Sequence, residues 1–258
     1  MAKAVVRSPI FTWIIVLGAC FVLFLPHTEQ FEAKSGLSQL MRWRGVEVPP
    51  KEVAVIAITE NTAEKLGKSK IMTEWSRQVY AELIQRLQEM GVKTIVFDIY
   101  FSRAMDEKGD MNFAQAMKDH GGVILFAYSD RTIHAVANEL FAEMDRIAEP
   151  LPIFRESAYR TAPFILPKVP AQVSSFVAEH EVYPPRITMP VVALQHADPA
   201  RWTALKKTGS KRFWYNFYGP PRTITTLSLE DVLTNHSQIP ENLNGFTVFV
   251  GYSSIYQP

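Results

Sequence analysis

Residues 75–102 read WSRQVYAELIQRLQEMGVKTIVFDIYFS, and two structural periods meet in them. Trp75, Val79, Leu83, Leu87 and Met90 recur at intervals of four and three, which places one apolar face on a helix over about residues 74–90. Gly91 is the stop for that helix. Residues 94–100, TIVFDIY, then form a short apolar run of the kind that suits a strand buried on both faces. Helix, glycine and buried strand in this order make up half of a βαβ unit.

The same alternation extends outward. Upstream, residues 53–59, VAVIAIT, are rich in β-branched side chains and predict another buried strand. Asn61 and Glu64 have the spacing of a capping box, which opens a short helix closed by Gly67. Downstream, Asp110 is placed to cap a helix carrying Phe113, Ala116 and Met117, with Gly121 and Gly122 at its end. Residues 123–127, VILFA, predict a third strand. Ala137, Leu140, Phe141, Met144 and Ile147 recur as one face of a further helix, ended by Pro150 and Pro152.

Residues 163–190 hold six prolines and no period, so they read as an inserted lobe with at least one strand near residues 173–177. Pro190 fits the first turn of a helix over residues 191–196. A strand over residues 211–217, a turn at Gly219-Pro220-Pro221, a helix capped by Ser228 with Asp231, and a strand over residues 246–250 complete the chain. The expectation is one α/β domain over residues 51–258: a mostly parallel central sheet, flanking helices and a proline-rich inserted lobe.

Before that domain, residues 9–25, PIFTWIIVLGACFVLFL, carry no charge and approach the ~17–25 residues that cross a bilayer. Lys3 and Arg7 precede the run, and Glu29 and Glu32 follow it. The positive-inside bias therefore keeps residues 1–8 in the cytoplasm and sends the rest outward. The expectation is a transmembrane helix over residues 9–26 in a bacterial inner membrane, a membrane-proximal helix and linker over residues 27–50, and everything after about residue 27 outside. A cleaved signal and a lipoprotein signal at Cys20 are the rivals. No small-residue exit site follows the run, and five apolar residues continue past Cys20. Thr28 caps the membrane-proximal helix, and Arg42, Arg44, Gly45 and Pro49-Pro50 mark its end.

Composition narrows the function. At 47% hydrophobic and 21% charged residues the chain is an ordinary globular one, which excludes disorder. A net charge of +1 with no basic stripe argues against nucleic acid. The single cysteine allows no intrachain disulfide. No phosphate loop, dinucleotide fingerprint, zinc motif or nucleophile elbow is present. The six histidines lack metal-ligand spacing. Catalytic residues, metal and cofactor are therefore all expected to be none.

One constellation is a candidate binding site. Ligands in open parallel sheets bind beyond the carboxyl ends of the strands. Glu60 follows the first strand, Asp98 lies near the end of the second, and Tyr252 and Ser253 follow the last, with Arg77 at the start of a helix. Facing one crevice, these groups suit a cation or polar ligand, or acid–base work. The competing reading makes Glu60 a turn residue, Asp98 an acceptor of backbone amides and Arg77 their counter-ion. Phe213, Trp214, Tyr215, Phe217 and Tyr218 form a dense aromatic run, read as core packing on both faces of a strand.

These stretches together resemble the second type of CHASE domain, the extracellular sensory module of bacterial cyclases and histidine kinases. The resemblance runs through FLPHTEQFE (24–32), RWRG (42–45), VAVIAITENTAEKLG (53–67) and the opening stretch. It continues through DMNFAQAM (110–117), VILFAYS (123–129), NFYGPPRTITTLSLEDVL (216–233) and LNGFTVFVGYSS (243–254). The chain departs from the family in MTEWSR (72–77), where a Trp-Pro-Trp-Pro-Arg run is common, and in YPPRITMPVVAL (183–194), which replaces an Asp-x-Asp-Gly stretch. The resemblance implies a sensory region that receives an unknown small-molecule or protein signal, works as a homodimer and controls a cytoplasmic output past residue 258. A nucleotide cyclase fits that output better than a histidine or Ser/Thr kinase. The alternatives are an anchored periplasmic hydrolase using Glu60 and Asp98, and an envelope structural or interaction protein.

Overall fold

The computed structural model describes residues 13, 16–18, 37–136, 140–166, 175–180, 185–234, 240 and 242–253, with side chains for all of these except 37–38 and 130–145. The chain divides into two units. The smaller comprises residues 1–47 and 168–174. It contains α1 (Leu37–Arg44), whose end is closed by Gly45 in a left-handed conformation, with its N–H bonded to Met41 O. Thr28, the expected cap, lies outside the described residues. So does most of the apolar stretch 9–25, the expected transmembrane helix. Among the described residues no helix is long and apolar enough to cross a membrane.

The larger unit, residues 48–167 and 175–258, is built on a mostly parallel sheet. Its strands in chain order are β1 (Val53–Ile58), β2 (Thr94–Phe97), β3 (Val123–Val136), β4 (Leu140–Ala148), β5 (Arg160–Pro163), then β10 (Thr225–Ser228) and β11 (Thr247–Tyr252). In space they run β10-β1-β11-β2-β3, with β5 parallel to the first part of β3 and β4 antiparallel to the rest. The last strand of the chain therefore sits between the first two, with Val55 and Val96 both opposite Phe249.

Side chains alternate between two faces. On one face Ala54, Ile56, Ile58, Ile95, Phe97, Val123, Leu125, Val248 and Val250 join a single core. Helices α2 (Glu60–Lys65), α3 (Gln78–Glu89), α4 (Glu107–His120), α5 (Pro152–Arg155) and α8 (Leu229–Leu233) contribute to that core. Its centre is a group of rings: Tyr80, Phe97, Phe101, Phe113 and Phe154, all fully buried. Phe113 lies 4.9 Å from Phe101 and 5.2 Å from Phe154, mostly in the tilted and edge-on arrangements that suit ring quadrupoles. The other face has a smaller core, where α6 (Met189–Ala197) brings Met189, Val192 and Ala193 onto Val96, Ile124 and Ala162.

A separate lobe holds β6 (Ser175–Val177) paired with β9 (Arg212–Trp214), the hairpin of β7 (Glu179–His180) and β8 (Arg186–Ile187), and α7 (Pro199–Lys206). Glu149 ties this lobe to the sheet by accepting from Arg186 and from Thr161 on β5.

Several local expectations are corrected. Residues 140–148 are a strand rather than a helix, because they pair with residues 128–136 of β3 along a nine-residue antiparallel register. An apolar spacing of three and four is outweighed there by a partner supplying a full ladder of backbone bonds. The capping box of α2 is Thr59 with Thr62, two residues earlier than Asn61 with Glu64. α4 is capped by Asp106, whose carboxylate accepts from Gly109 N–H, while Asp110 sits inside the first turn. The aromatic run packs on one side only: Phe213 and Tyr215 lie within 5.6 Å of the Phe176 ring, whereas Trp214 is 52% exposed.

Two measurements probe this architecture. Phe113→Ala removes a ring from the centre of the larger core and is expected to destabilise the domain by about 3–5 kcal/mol in chemical denaturation. The second concerns histidines at the amino-terminal end of the sheet. His120 Nδ1 accepts from Gly122 N–H and its Nε2 bonds to Val92 O, so the neutral ring is fully used. His196 Nδ1 bonds to Thr94 Oγ1. Burial lowers the pKa of both below the ordinary 6.5. The unfolded chain then binds more protons than the folded one below about pH 6.5, so stability falls as pH drops through that value. Thermal melts should show Tm decreasing from pH 7.5 toward about 5.5, with a shallower slope in His120→Gln.

Candidate functional site

The sheet is covered unequally. α6 packs chiefly on β2, β3 and β5, so the second face is less covered toward β11 and β1. Ala54, Ile56, Val248 and Val250 are fully buried on the helical face, while Val55 and Phe249 on the opposite face are only half-buried. A cleft of about 340 Å³ opens there, within the roughly 300–1,000 Å³ of small-molecule sites. Val55, Phe249, Phe164, Met189 and Pro190 give it apolar walls, and Asp98, Tyr252 and Ser253 supply its polar groups.

Asp98 owes its position to the backbone. Its N–H donates to Val250 O at 2.8 Å, continuing the β2–β11 ladder one residue past β2. Alternation then turns its side chain away from Phe97 and toward the second face. Gly251 lies beside it: a Cβ there would meet Asp98 Cβ at 3.5 Å and Oδ2 at 4.0 Å. Ser253 is fixed by its N–H bond to Ile58 O at 2.8 Å. No described residue donates to the Asp98 carboxylate. Asp98 is an exposed residue, yet the apolar walls beside it desolvate the carboxylate enough to push its pKa above the ordinary value.

The other two candidate residues are elsewhere. Glu60 is an exposed residue of the first turn of α2 and does not line the cleft. Arg77 is the N-cap of α3 in the larger core, 4% exposed, with its guanidinium 4.9 Å from the Phe101 ring and 5.9 Å from that of Tyr80. Burial lowers its pKa, and its Nη2 donates to Arg103 O. Arg77 thus anchors the loop between β2 and α4 instead of serving Asp98. Asp110 holds the same loop by accepting from Met105 N–H at 3.0 Å. The acid–base pair that the hydrolase reading needs, Glu60 with Asp98, is not gathered in this cleft.

Phe164, Met189 and Pro190 were missed by sequence reasoning. The one available signal was Pro190 at a helix start, and nothing in sequence says that this helix end meets the end of a strand 60 residues later. Unlike Asp98, Glu230 is buried: 4% exposed, it accepts from Thr62 Oγ1 at 2.6 Å and Lys65 Nζ at 3.1 Å. Burial opposes its ionisation, but these bonds outweigh burial and lower its pKa. It locks α8 to α2 and is fully partnered. No group of three or more His, Cys, Asp or Glu side chains able to hold a metal occurs among the described residues.

A parallel α/β sheet with a largely apolar cleft at the carboxyl ends of its central strands has the layout in which such proteins hold small ligands. The chain belongs to the CHASE2 domain family, whose model matches residues 13–257. CHASE2 domains are extracytoplasmic sensory domains and not catalytic ones. No curated protein and no solved structure matches the chain.

Asp98→Asn tests the state of the carboxylate. A group whose folded pKa is raised weakens the fold when ionised, so the amide should leave Tm at neutral pH unchanged or slightly higher. A lower Tm would show that Asp98 holds the strand ends together.

Proposed function

We propose that this chain is the ligand-receiving part of a membrane-bound bacterial receptor. Residues 9–26 anchor it in the inner membrane, the domain after residue 27 faces the periplasm, and the cleft beside Asp98 is where the signal binds. The domain acts as a homodimer and controls a nucleotide cyclase encoded beyond residue 258. The observation that carries this reading is a family match over residues 13–257 in a fold whose cleft lies at the strand ends. The uncharged run at 9–25, with bases before it and acids after it, supports the anchor and its orientation. A signal can shift the receptor only by as much as its affinity differs between two states, and a cleft between the strand ends and the start of α6 is a place where such a difference arises.

The test uses the whole receptor. The reading frame after codon 258 is expected to encode apolar spans and then a cyclase; a stop codon or a kinase there overturns the proposed output. In membranes from cells expressing that receptor, Gly251→Val fills the cleft next to Asp98 with two methyl groups. Cyclic-nucleotide production is expected to change several-fold and to lose its response to periplasmic extract, with the melting temperature of the domain preserved. Production and response equal to those of the unaltered receptor would remove the cleft from signalling.

A further inference from the structure

The cleft is chemically one-sided. Among the described residues its lining has the Asp98 carboxylate, the Ser253 hydroxyl and the rings of Phe164 and Phe249, with the Tyr252 backbone at its edge and no Lys, Arg or His. Asp98 therefore has no cationic partner within the cleft, and none of the described residues donates a hydrogen bond to its carboxylate. Phe249 and Phe164 are partly buried against the smaller core, which holds those rings in place as walls.

The helix that borders the cleft does not reverse this polarity. A helix amino terminus normally attracts anions through its free N–H groups. In α6, Pro190 has no N–H, and the N–H groups of Val191 and Val192 both bond to Thr188 O at 3.0 Å. The hydroxyl of Thr188 is itself used, donating to Val177 O and Ala178 O. Few donors are left to receive an anion, whereas the acceptors and ring faces suit a cation.

Resting on the reading of this cleft as the signal site, we infer that its ligand is a small organic ammonium ion with an apolar body, held by the Asp98 carboxylate and the rings of Phe164 and Phe249. The ammonium group sits at the Asp98 edge, on the same face of the sheet as Ser253. The apolar body lies along Val55, Phe249 and Met189. A ligand of this kind supplies the counter-charge that no described residue of the cleft supplies.

Three probes of nearly equal shape separate the possibilities: 2-phenylethylamine (cation), 2-phenylethanol (neutral) and phenylacetate (anion). Each is titrated against the full chain in lipid nanodiscs, with ligand-observed NMR reporting Kd. The expected order is amine tightest, alcohol about tenfold weaker, and phenylacetate weakest, the gap reflecting one charge-assisted contact. Asp98→Asn should weaken the amine about tenfold while leaving the alcohol unchanged, and Gly251→Val should weaken both. Amine binding that survives Asp98→Asn, or phenylacetate binding as tightly as the amine, overturns the cationic class. If Gly251→Val still abolishes that binding, the cleft stands as the signal site and only its ligand class is wrong. Failure of all three probes to bind at millimolar concentration overturns the inference as well, and the cyclic-nucleotide response of Gly251→Val then decides the cleft separately.

Discussion

Everything in the larger unit depends on one strand reaching its place late in the chain. β11, residues 247–252, lies between β1 and β2 and pairs with both. Without it, two central strands would face each other across an empty strand width, with a row of backbone N–H and C=O groups unpaired in the core. Each such orphan costs about 1–3 kcal/mol. The same strand supplies the acceptor that holds Asp98 and carries Gly251, so the cleft does not exist until the sheet is complete. Pairings this distant in sequence close large loops, which slows folding and makes assembly of the sheet a single cooperative event.

The two faces of that sheet have different work. One carries five helices and a fully buried cluster of rings, with Glu230 bonded to Thr62 and Lys65, and Arg77 and Asp110 each making one bond to the loop after β2. The other carries mainly α6, which lies chiefly over β2, β3 and β5. Rigid support behind the strands with incomplete cover in front leaves a shallow hollow whose floor is β-sheet and whose rim is Phe164 and the start of α6. An arrangement of this sort lets a ligand touch both sheet and α6 while the larger core stays unchanged.

Much of this organisation was legible in residue order. The helix and strand of residues 75–102 carry their own punctuation: apolar spacing, then Gly91 in a left-handed conformation, then an unbroken β-branched run. Asp98, Tyr252 and Ser253 were legible as strand-end residues for the same reason. The misreadings share another cause. Leu140 to Ala148 has helical spacing but becomes a strand, because β3 continues past the sheet and offers its backbone as a template. Glu60 and Arg77 also stand next to strand or helix ends in sequence. Alternation and helix rotation turn them away from Asp98, and proximity along the chain does not report that rotation.

Sequence alone determined the class of the domain, the positions of most of its helices and strands, and the uncharged run near its start. These are properties of short windows, set by side-chain periodicity, glycine and proline stereochemistry, and charge. Tertiary structure alone decided that the last strand enters the middle of the sheet, that Phe164, Met189 and Pro190 join Asp98 around one cleft, and that Arg77 stays in the core. Those outcomes depend on which backbone edges remain unpaired and which faces remain uncovered after the whole chain has packed, and no local window contains that information.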